Sequence, residues 1–434
     1  MKLDKDMNLI AAVVGKDGRT SAIRRCLSAS SRVTGPVAVL SDGKPPDRVI
    51  ADVLREADKV KPDFVVVGPE EPLALGVVDA LEQRGIACVG PNRALARIEA
   101  SKAFTRELLT EHRIPGNPEH RIFERIDGVA EYLRTLGEFV VKPDGLTGGK
   151  GVKVSGDHLR SIDEGVQYCA DLLHAPGSKV VIEEKLDGEE FSLQTFADGA
   201  HVADMLPVQD HKRAFDGDAG PNTGGMGSYS GPDHLLPFLD HDALAQARAI
   251  NARVARAIGY RGILFGGFML TKDGVRLLEY NARFGDPECL NVLSVMETDF
   301  ADVCLGIING TLDQVPVRFR AVATVCKYIV PEDYPSRPST GIVDVSAVVE
   351  SDSLRMYLAA VDPIEGQPHR YRMTGSRAIA FVGIGPTLSE ANQHADEACR
   401  RVTGPVRYRA DIGTAPLIDR RVRHMARITH RLAV

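Results

Sequence analysis

Glu279-Tyr280-Asn281-Ala282-Arg283 ends an apolar run with the character of a β-strand. Strand alternation puts Glu279, Asn281 and Arg283 on one face. A carboxylate and an amide oxygen two residues apart suit a hard divalent cation such as Mg²⁺, which also takes phosphate oxygens and water. An arginine beside them is placed to hold charge developing on a transferred phosphoryl group. Alone, the same pattern would serve as a solvent-facing strand edge, so its meaning depends on the other polar segments. Lys142-Pro143-Asp144-Gly145-Leu146-Thr147-Gly148-Gly149-Lys150-Gly151 lies between two predicted strands. Its glycines let backbone N–H groups approach phosphate oxygens, and Lys142 and Lys150 supply countercharge. The spacing GxxxGKG followed by a strand excludes a Walker A loop, which needs GxxxxGK[ST] before a helix. Glu183–Glu190 (EEKLDGEE) also joins two predicted strands. In isolation it reads as a surface turn; beside a phosphate loop it suits a hinge that bonds an adenine edge and a ribose. Asp210-His211-Lys212-Arg213 precedes a glycine-rich run, 220–227. Long polar runs inside a compact domain are usually functional or disordered. Lys212 and Arg213 suit an anionic substrate. His211 has no partner visible in sequence and is not assigned as a base.

These residues must be positioned by an α/β scaffold. Apolar runs at 9–14, 37–40, 63–68 and 87–90 alternate with helical patterns from about Thr20 and over 72–84. That alternation predicts a parallel sheet covered on both faces. Ligands in such sheets bind beyond the carboxyl ends of the strands, where the loops 15–19, 68–72 and 90–92 fall. From Ser101 the texture changes to a helix over 102–112, strands at 138–142, 151–154 and 179–186, and a helix marked by Ile162, Val166, Cys169 and Leu173. A helix marked by Leu244 to Ile258 precedes two strands flanking Lys272-Asp273-Gly274, which reads as a hairpin. A β-rich region (ATVCKYIV, IVDVSAVV, AIAFVGIG) with one helix begins near Arg318.

The composition is globular: 434 residues, 44 % hydrophobic and 26 % charged. A net charge of −6 argues against nucleic-acid binding. No apolar stretch is long enough for a membrane span, and no signal peptide is evident. Seven scattered cysteines with no CxxC pair predict reduced thiols in a cytoplasmic protein. Five arginines between 420 and 431 read as a solvated helix face.

Together the motifs resemble the ATP-grasp superfamily, and within it the glycinamide ribonucleotide synthetases of purine biosynthesis. The resemblance is carried by VVGPEEPL (66–73), VKPDGLTGGKGVKV (141–154), EEKLDGEEFSLQ (183–194), QDHKRAFDGDAGPNTGGMGSYS (209–230), LLEYNARFGDPE (277–288) and TGSRAIAFVGIG (374–385). It covers about residues 7–415. It implies a multidomain α/β fold: a Rossmann-like preATP-grasp domain (1–100), an ATP-grasp domain (101–316) with a lid at about 120–188, and a β-rich C-terminal domain (317–434). It implies a reaction in which ATP, glycine and 5-phosphoribosylamine give glycinamide ribonucleotide, ADP and phosphate through a glycyl phosphate. By resemblance, Lys102, Lys142, Gly148, Gly149 and Lys150 hold the ATP phosphates. Glu183, Glu184, Leu186 and Glu190 hold adenine and ribose. Glu279 and Asn281 bind Mg²⁺ or Mn²⁺, and Arg283, Lys212 and Arg213 act in catalysis. Gly15, Gly18, Arg19, Glu70, Asn222 and Asp286 face the other substrates. The implied partners are small molecules only, with no nucleic acid or membrane, in a monomer or small homo-oligomer.

One stretch departs from the family. Its opening loop is close to GGGGREHAI, whereas this chain has Gly15-Lys16-Asp17-Gly18-Arg19-Thr20-Ser21-Ala22-Ile23. An aspartate in a phosphate-facing loop is expected to weaken recognition of the amine substrate and spare the ATP half-reaction. Two other readings follow: a related ligase joining another amine to glycine or another small acid, and a non-catalytic nucleotide-binding protein. The intact Glu279, Asn281, Arg283 and lysine set speaks against the last.

Overall fold

The computed structural model describes residues 3, 9–40, 48–146 and 151–429. Four strands, Ala11–Val14, Ala38–Leu40, Phe64–Val67 and Ala87–Val89, form a parallel sheet in which Val13 lies between Val39 and Val66. Helix Gly18–Ala29 follows the first strand, as expected. The single helix expected over 72–84 is instead two, Glu70–Leu75 and Val77–Gln83. They are separated by Gly76, whose φ of 93° ends the first turn of chain in a left-handed conformation that glycine tolerates.

Residues 120–184 build a second unit. Strands His120–Phe123, Val180–Glu184, Phe139–Pro143 and Lys153–Val154 lie side by side in that order, antiparallel throughout. Helices Val129–Leu136 and Ile162–Leu172 cover them. Phe123, Leu133, Phe139, Val141, Cys169 and Ile182 form a core separate from that of the rest of the chain.

Among the described residues the central feature is a nine-stranded sheet. Gly274–Asn281 pairs with Arg261–Thr271, which pairs with Gly188–Asp198, Val202–Asp210 and Gly227–Ser230 in succession. The predicted hairpin closes at Thr271 and Gly274. The sheet does not stop at the expected boundary near 317. Gly227–Ser230 pairs directly with Ala323–Pro331, which continues to Ile379–Gly385 and Leu354–Leu358 and also pairs at its end with the ninth strand, Val406–Arg407. The predicted strand IVDVSAVV is shortened to Ile342–Asp344, because the Asp344 carboxylate accepts from the Ser346 N–H at 2.9 Å and turns the chain. Helix Ala415–Ile428 ends the described chain. All seven cysteines are free thiols. Among the described residues no helix is long and apolar enough to cross a membrane.

Candidate active site

Helix Lys102–Glu111 begins beside the glycine loop because Ser101 caps it, accepting from Phe104 N. Asp144 accepts from Ser101 Oγ (3.0 Å) and Ala103 N (3.1 Å), and Lys102 Nζ donates to Gly145 O (2.9 Å). The loop is thereby tied to the helix at its entry; Gly148, Gly149 and Lys150 lie outside the described residues. Lys142 Nζ donates to Leu278 O (3.0 Å) and pairs with Glu183 Oε2 (2.7 Å). Arg106 is one turn after Lys102, hence on the same helix face. It holds Glu183 with two bonds, Nε to Oε1 (2.7 Å) and Nη2 to Oε2 (2.9 Å), and reaches the Leu277 and Leu278 carbonyls. Burial raises the Glu183 pKa, but Arg106 and Lys142 outweigh it and hold the carboxyl at about 2. Glu183 is thus a buried anchor with both oxygens engaged. Glu184 accepts from Glu119 N (2.8 Å), Leu186 is half-buried, and exposed Glu190 pairs with Lys212 (3.3 Å).

Glu279 and Asn281 lie on the last strand of the large sheet. Burial opposes ionisation of Glu279, yet Lys212, Lys142, Lys102 and Arg283 together keep its carboxyl below the ordinary range. The Lys102 ammonium is pushed down by burial, against the pull of Glu279, while Lys212 is pushed up, mainly by Glu190. Glu279, in the field of three lysines and an arginine, and Asn281, whose Oδ1 lies 3.4 Å from Arg283 Nη2, are hard oxygen donors that fit a divalent cation together with polyphosphate. Arg283 Nη2 pairs with Glu99 (2.9 Å) and its Nε with Glu70 (3.1 Å). Glu99 also accepts from Ala282 N (2.8 Å), fixing the backbone between the two polar positions.

Across from this group, Gly15 has φ 126°. The two positions where the chain departs from glycine have no such need. Asp17 sits at φ −129° and caps helix Gly18–Ala29, accepting from Thr20 N (2.9 Å). Its other oxygen takes Arg19 Nε (2.6 Å). Lys16 turns away to Asp362 (2.7 Å). Asp17 is therefore committed to the helix end and Arg19. Gly18 is required for another reason: a Cβ there would lie 2.0 Å from Tyr328 Oη. That hydroxyl donates to Asp286 Oδ1 (2.6 Å).

Arg19, Glu70, Arg283 and Asp286 converge. Arg19 donates to Phe284 O (2.9 Å) and reaches Glu70 (3.4 Å), while its N–H meets Asp286 Oδ2 (3.4 Å). Burial raises Glu70, but Arg283 and Arg19 hold it at about 2. Arg377 approaches from the C-terminal region, donating to Asp286 O (2.7 Å) beside the Asp286 carboxylate (3.3 Å). Arg213 and Asn222 stand apart, paired on hairpin 213–222. They line a cavity of about 720 Å³ with Gly151, Lys153, His158 and Pro221. His211 is buried with neither ring nitrogen hydrogen-bonded, and burial pushes it down to about 3, a neutral imidazole.

Arg106, Glu99, Tyr328 and Arg377 were not evident as site residues in the sequence. The four-residue offset from Lys102 was a usable signal for Arg106, and the TGSR segment one for Arg377. Glu99 and Tyr328 reach the site only through long-range packing.

The phosphoribosylglycinamide synthetase family models match in order: the N domain over residues 9–99, the ATP-grasp (A) domain over 100–289 and the C domain over 324–415. A phosphoribosylamine–glycine ligase of Methanoregula boonei is 44 % identical over 433 residues, covering 95 % of this chain and 98 % of that protein. One from Methanococcoides burtonii is 42 % identical, covering 97 % and 100 %. The crystal structure of the Thermotoga maritima phosphoribosylamine–glycine ligase matches with TM-score 0.74 and 25 % identity, over 92 % of this chain and 99 % of that one. A Campylobacter jejuni biotin carboxylase β-γ-ATP complex shares the fold, with TM-score 0.75 at 13 % identity over 98 % and 100 % of the two chains. By domain order, extent and identity, the chain belongs to the phosphoribosylglycinamide synthetase family.

Proposed function

We propose that the protein ligates glycine to 5-phosphoribosylamine at the expense of ATP, yielding glycinamide ribonucleotide, ADP and phosphate in purine biosynthesis. The observation that carries this reading is Glu279 kept ionised by the combined field of Lys102, Lys142, Lys212 and Arg283 in a chain of this family. Lys102 and Lys142 hold the ATP phosphates, with Gly148, Gly149 and Lys150. Residues 184–190 hold the base and ribose. Glu279 and Asn281 hold Mg²⁺ or Mn²⁺, which neutralises polyphosphate charge when bound. A glycine carboxylate oxygen attacks the γ-phosphorus and ADP leaves. The amine then attacks the acyl carbon, and phosphate leaves with the former carboxylate oxygen. Lys212, Arg213 and Arg283 steady the charge through both steps, with Asn222 beside the acid. Gly15, Gly18, Arg19, Glu70 and Asp286 orient the amine substrate. Such chemistry is positioning and charge neutralisation, with no side-chain nucleophile needed.

The unit 120–184 serves as the lid, excluding water from the acyl phosphate. The functional divisions are 1–100, 101–316 and 317–434, in a cytoplasmic monomer or small homo-oligomer. The test is ADP release with glycine, with and without phosphoribosylamine generated in situ. Release that requires both supports the reading; turnover with a different amine only would overturn it.

A further inference from the structure

Hairpin 213–222 is anchored by the C-terminal part of the chain. Arg407 donates to Ala214 O (2.7 Å) and lies over the Phe215 ring. Arg409, fully buried, donates to Arg213 O (3.0 Å) and pairs with Asp218 (3.0 Å). Asp411 binds the Arg409 guanidinium at 2.9 and 2.7 Å and accepts from Gly217 N (2.9 Å). Asp218, at the hairpin tip, also receives Arg420 (2.5 Å) and Arg421 from helix Ala415–Ile428.

The same helix reaches the segment proposed to hold the nucleotide. Arg421 Nε lies 3.4 Å from Glu189 Oε2. His424 sits between two carboxylates, Nδ1 at 2.7 Å from Glu189 Oε1 and Nε2 at 3.1 Å from Asp187 Oδ1. Glu190, next in the chain, pairs with Lys212 at the root of the hairpin. The contacts close a ring: Lys212, Glu190, Glu189, Arg421, Asp218 and back along the hairpin to Lys212. Part of the predicted solvated arginine face is therefore directed inward. Arg423 and Arg427 do face solvent, while Arg420, Arg421 and His424 address two site segments. The helix already has an apolar anchor in Leu417, Ile418 and Met425. Its polar face is therefore not needed merely to dock it.

We propose that Arg421 and His424 are positioning residues that set hinge 187–190 and hairpin 213–222 at a fixed separation. They thereby align the nucleotide with the acid substrate. The helix lies beyond the matched C domain, which ends at 415. The proposal rests on the function proposed above, since it takes the hinge as the nucleotide side and the hairpin as the acid side. Binding substrates at a slightly wrong separation is costly, because rate depends steeply on the approach of reacting atoms.

The test compares Arg421→Met, Arg421→Lys, His424→Gln, Asp218→Asn and Glu189→Gln. Steady-state constants for ATP and glycine are measured, with the Kd of a non-hydrolysable ATP analogue and the Tm. Arg421→Met is expected to raise KM for both substrates about tenfold and to weaken analogue binding, with Arg421→Lys restoring part of each. Asp218→Asn should affect glycine alone, whereas Glu189→Gln and His424→Gln should affect ATP alone. If Arg421→Met lowers Tm but leaves both KM values and the Kd unchanged, the helix is only structural and the proposal fails. An Arg421→Met response confined to one substrate also overturns it. Should the wild type prove inactive with glycine and phosphoribosylamine, the proposed function falls, while the analogue Kd still decides whether the helix sets the hinge.

Discussion

Glu183 shows how a residue marked for ligand binding by its motif can be occupied by structure. With an ordinary value of 4.5 and a folded value of about 2, its carboxylate stabilises the fold at neutral pH. That contribution is fully present above about pH 4.5 and is lost as pH falls towards 2. It amounts to about 3 kcal/mol. Glu183→Gln should cost about 3–5 kcal/mol at pH 7, since Arg106 and Lys142 would remain buried without their partner. Its stability should also fall less steeply than that of the wild type between pH 4.5 and 2, as followed by urea denaturation. Glu279→Ala and Asn281→Ala should abolish ADP release while preserving the circular-dichroism spectrum, because they remove oxygen donors rather than packing. Normal turnover of either variant at ordinary magnesium would remove the metal assignment. Asp17→Gly should destabilise by only roughly a few tenths of a kcal/mol through loss of the helix cap, since glycine is itself tolerated there. It should also lower KM for phosphoribosylamine several-fold by freeing Arg19, with KM for ATP unchanged. An unaltered KM for the amine would show that the substituted loop is harmless.

At the scale of elements, the unit 120–184 carries its own core and meets the rest of the site through Lys142 and Glu183. Closure over nucleotide should slow amide exchange at 142–146 and 151–154 in the presence of an ATP analogue. Unchanged exchange would count against a lid. The elements legible in sequence were those with local causes. The hairpin at Lys272-Asp273-Gly274 has a turn of its own, and the four apolar runs of the first hundred residues declare a parallel sheet. The site strand was legible because Glu279 and Asn281 alternate, but it ends at Asn281, so Arg283 lies past it and its place does not follow from strand alternation. What stayed hidden depends on distant chain. Gly18 is glycine because Tyr328 presses on it, about three hundred residues later. Arg420 and Arg421 look like surface charge until Asp218 is brought to them. Asp17 resembles a charge aimed at substrate until Thr20 and Arg19 claim it.

For the whole molecule, the shared sheet outweighs the division into family domains. Gly227–Ser230 and Ala323–Pro331 are neighbouring strands, so cutting the chain near 317 removes one side of the central sheet. A 1–316 fragment should fail to fold cooperatively and should aggregate through the exposed edge, as light scattering would detect. A soluble, two-state fragment would contradict this. The same pairing has a consequence for synthesis on the ribosome. The first parallel sheet is complete once Ala87–Val89 has emerged, but Gly227–Ser230 waits for a partner about a hundred residues downstream. At about ten residues per second, translation leaves that strand edge open for about ten seconds. Nascent chains stalled before residue 331 should therefore recruit chaperones that those stalled after 385 release, making the central seam the point where vectorial folding is slowest.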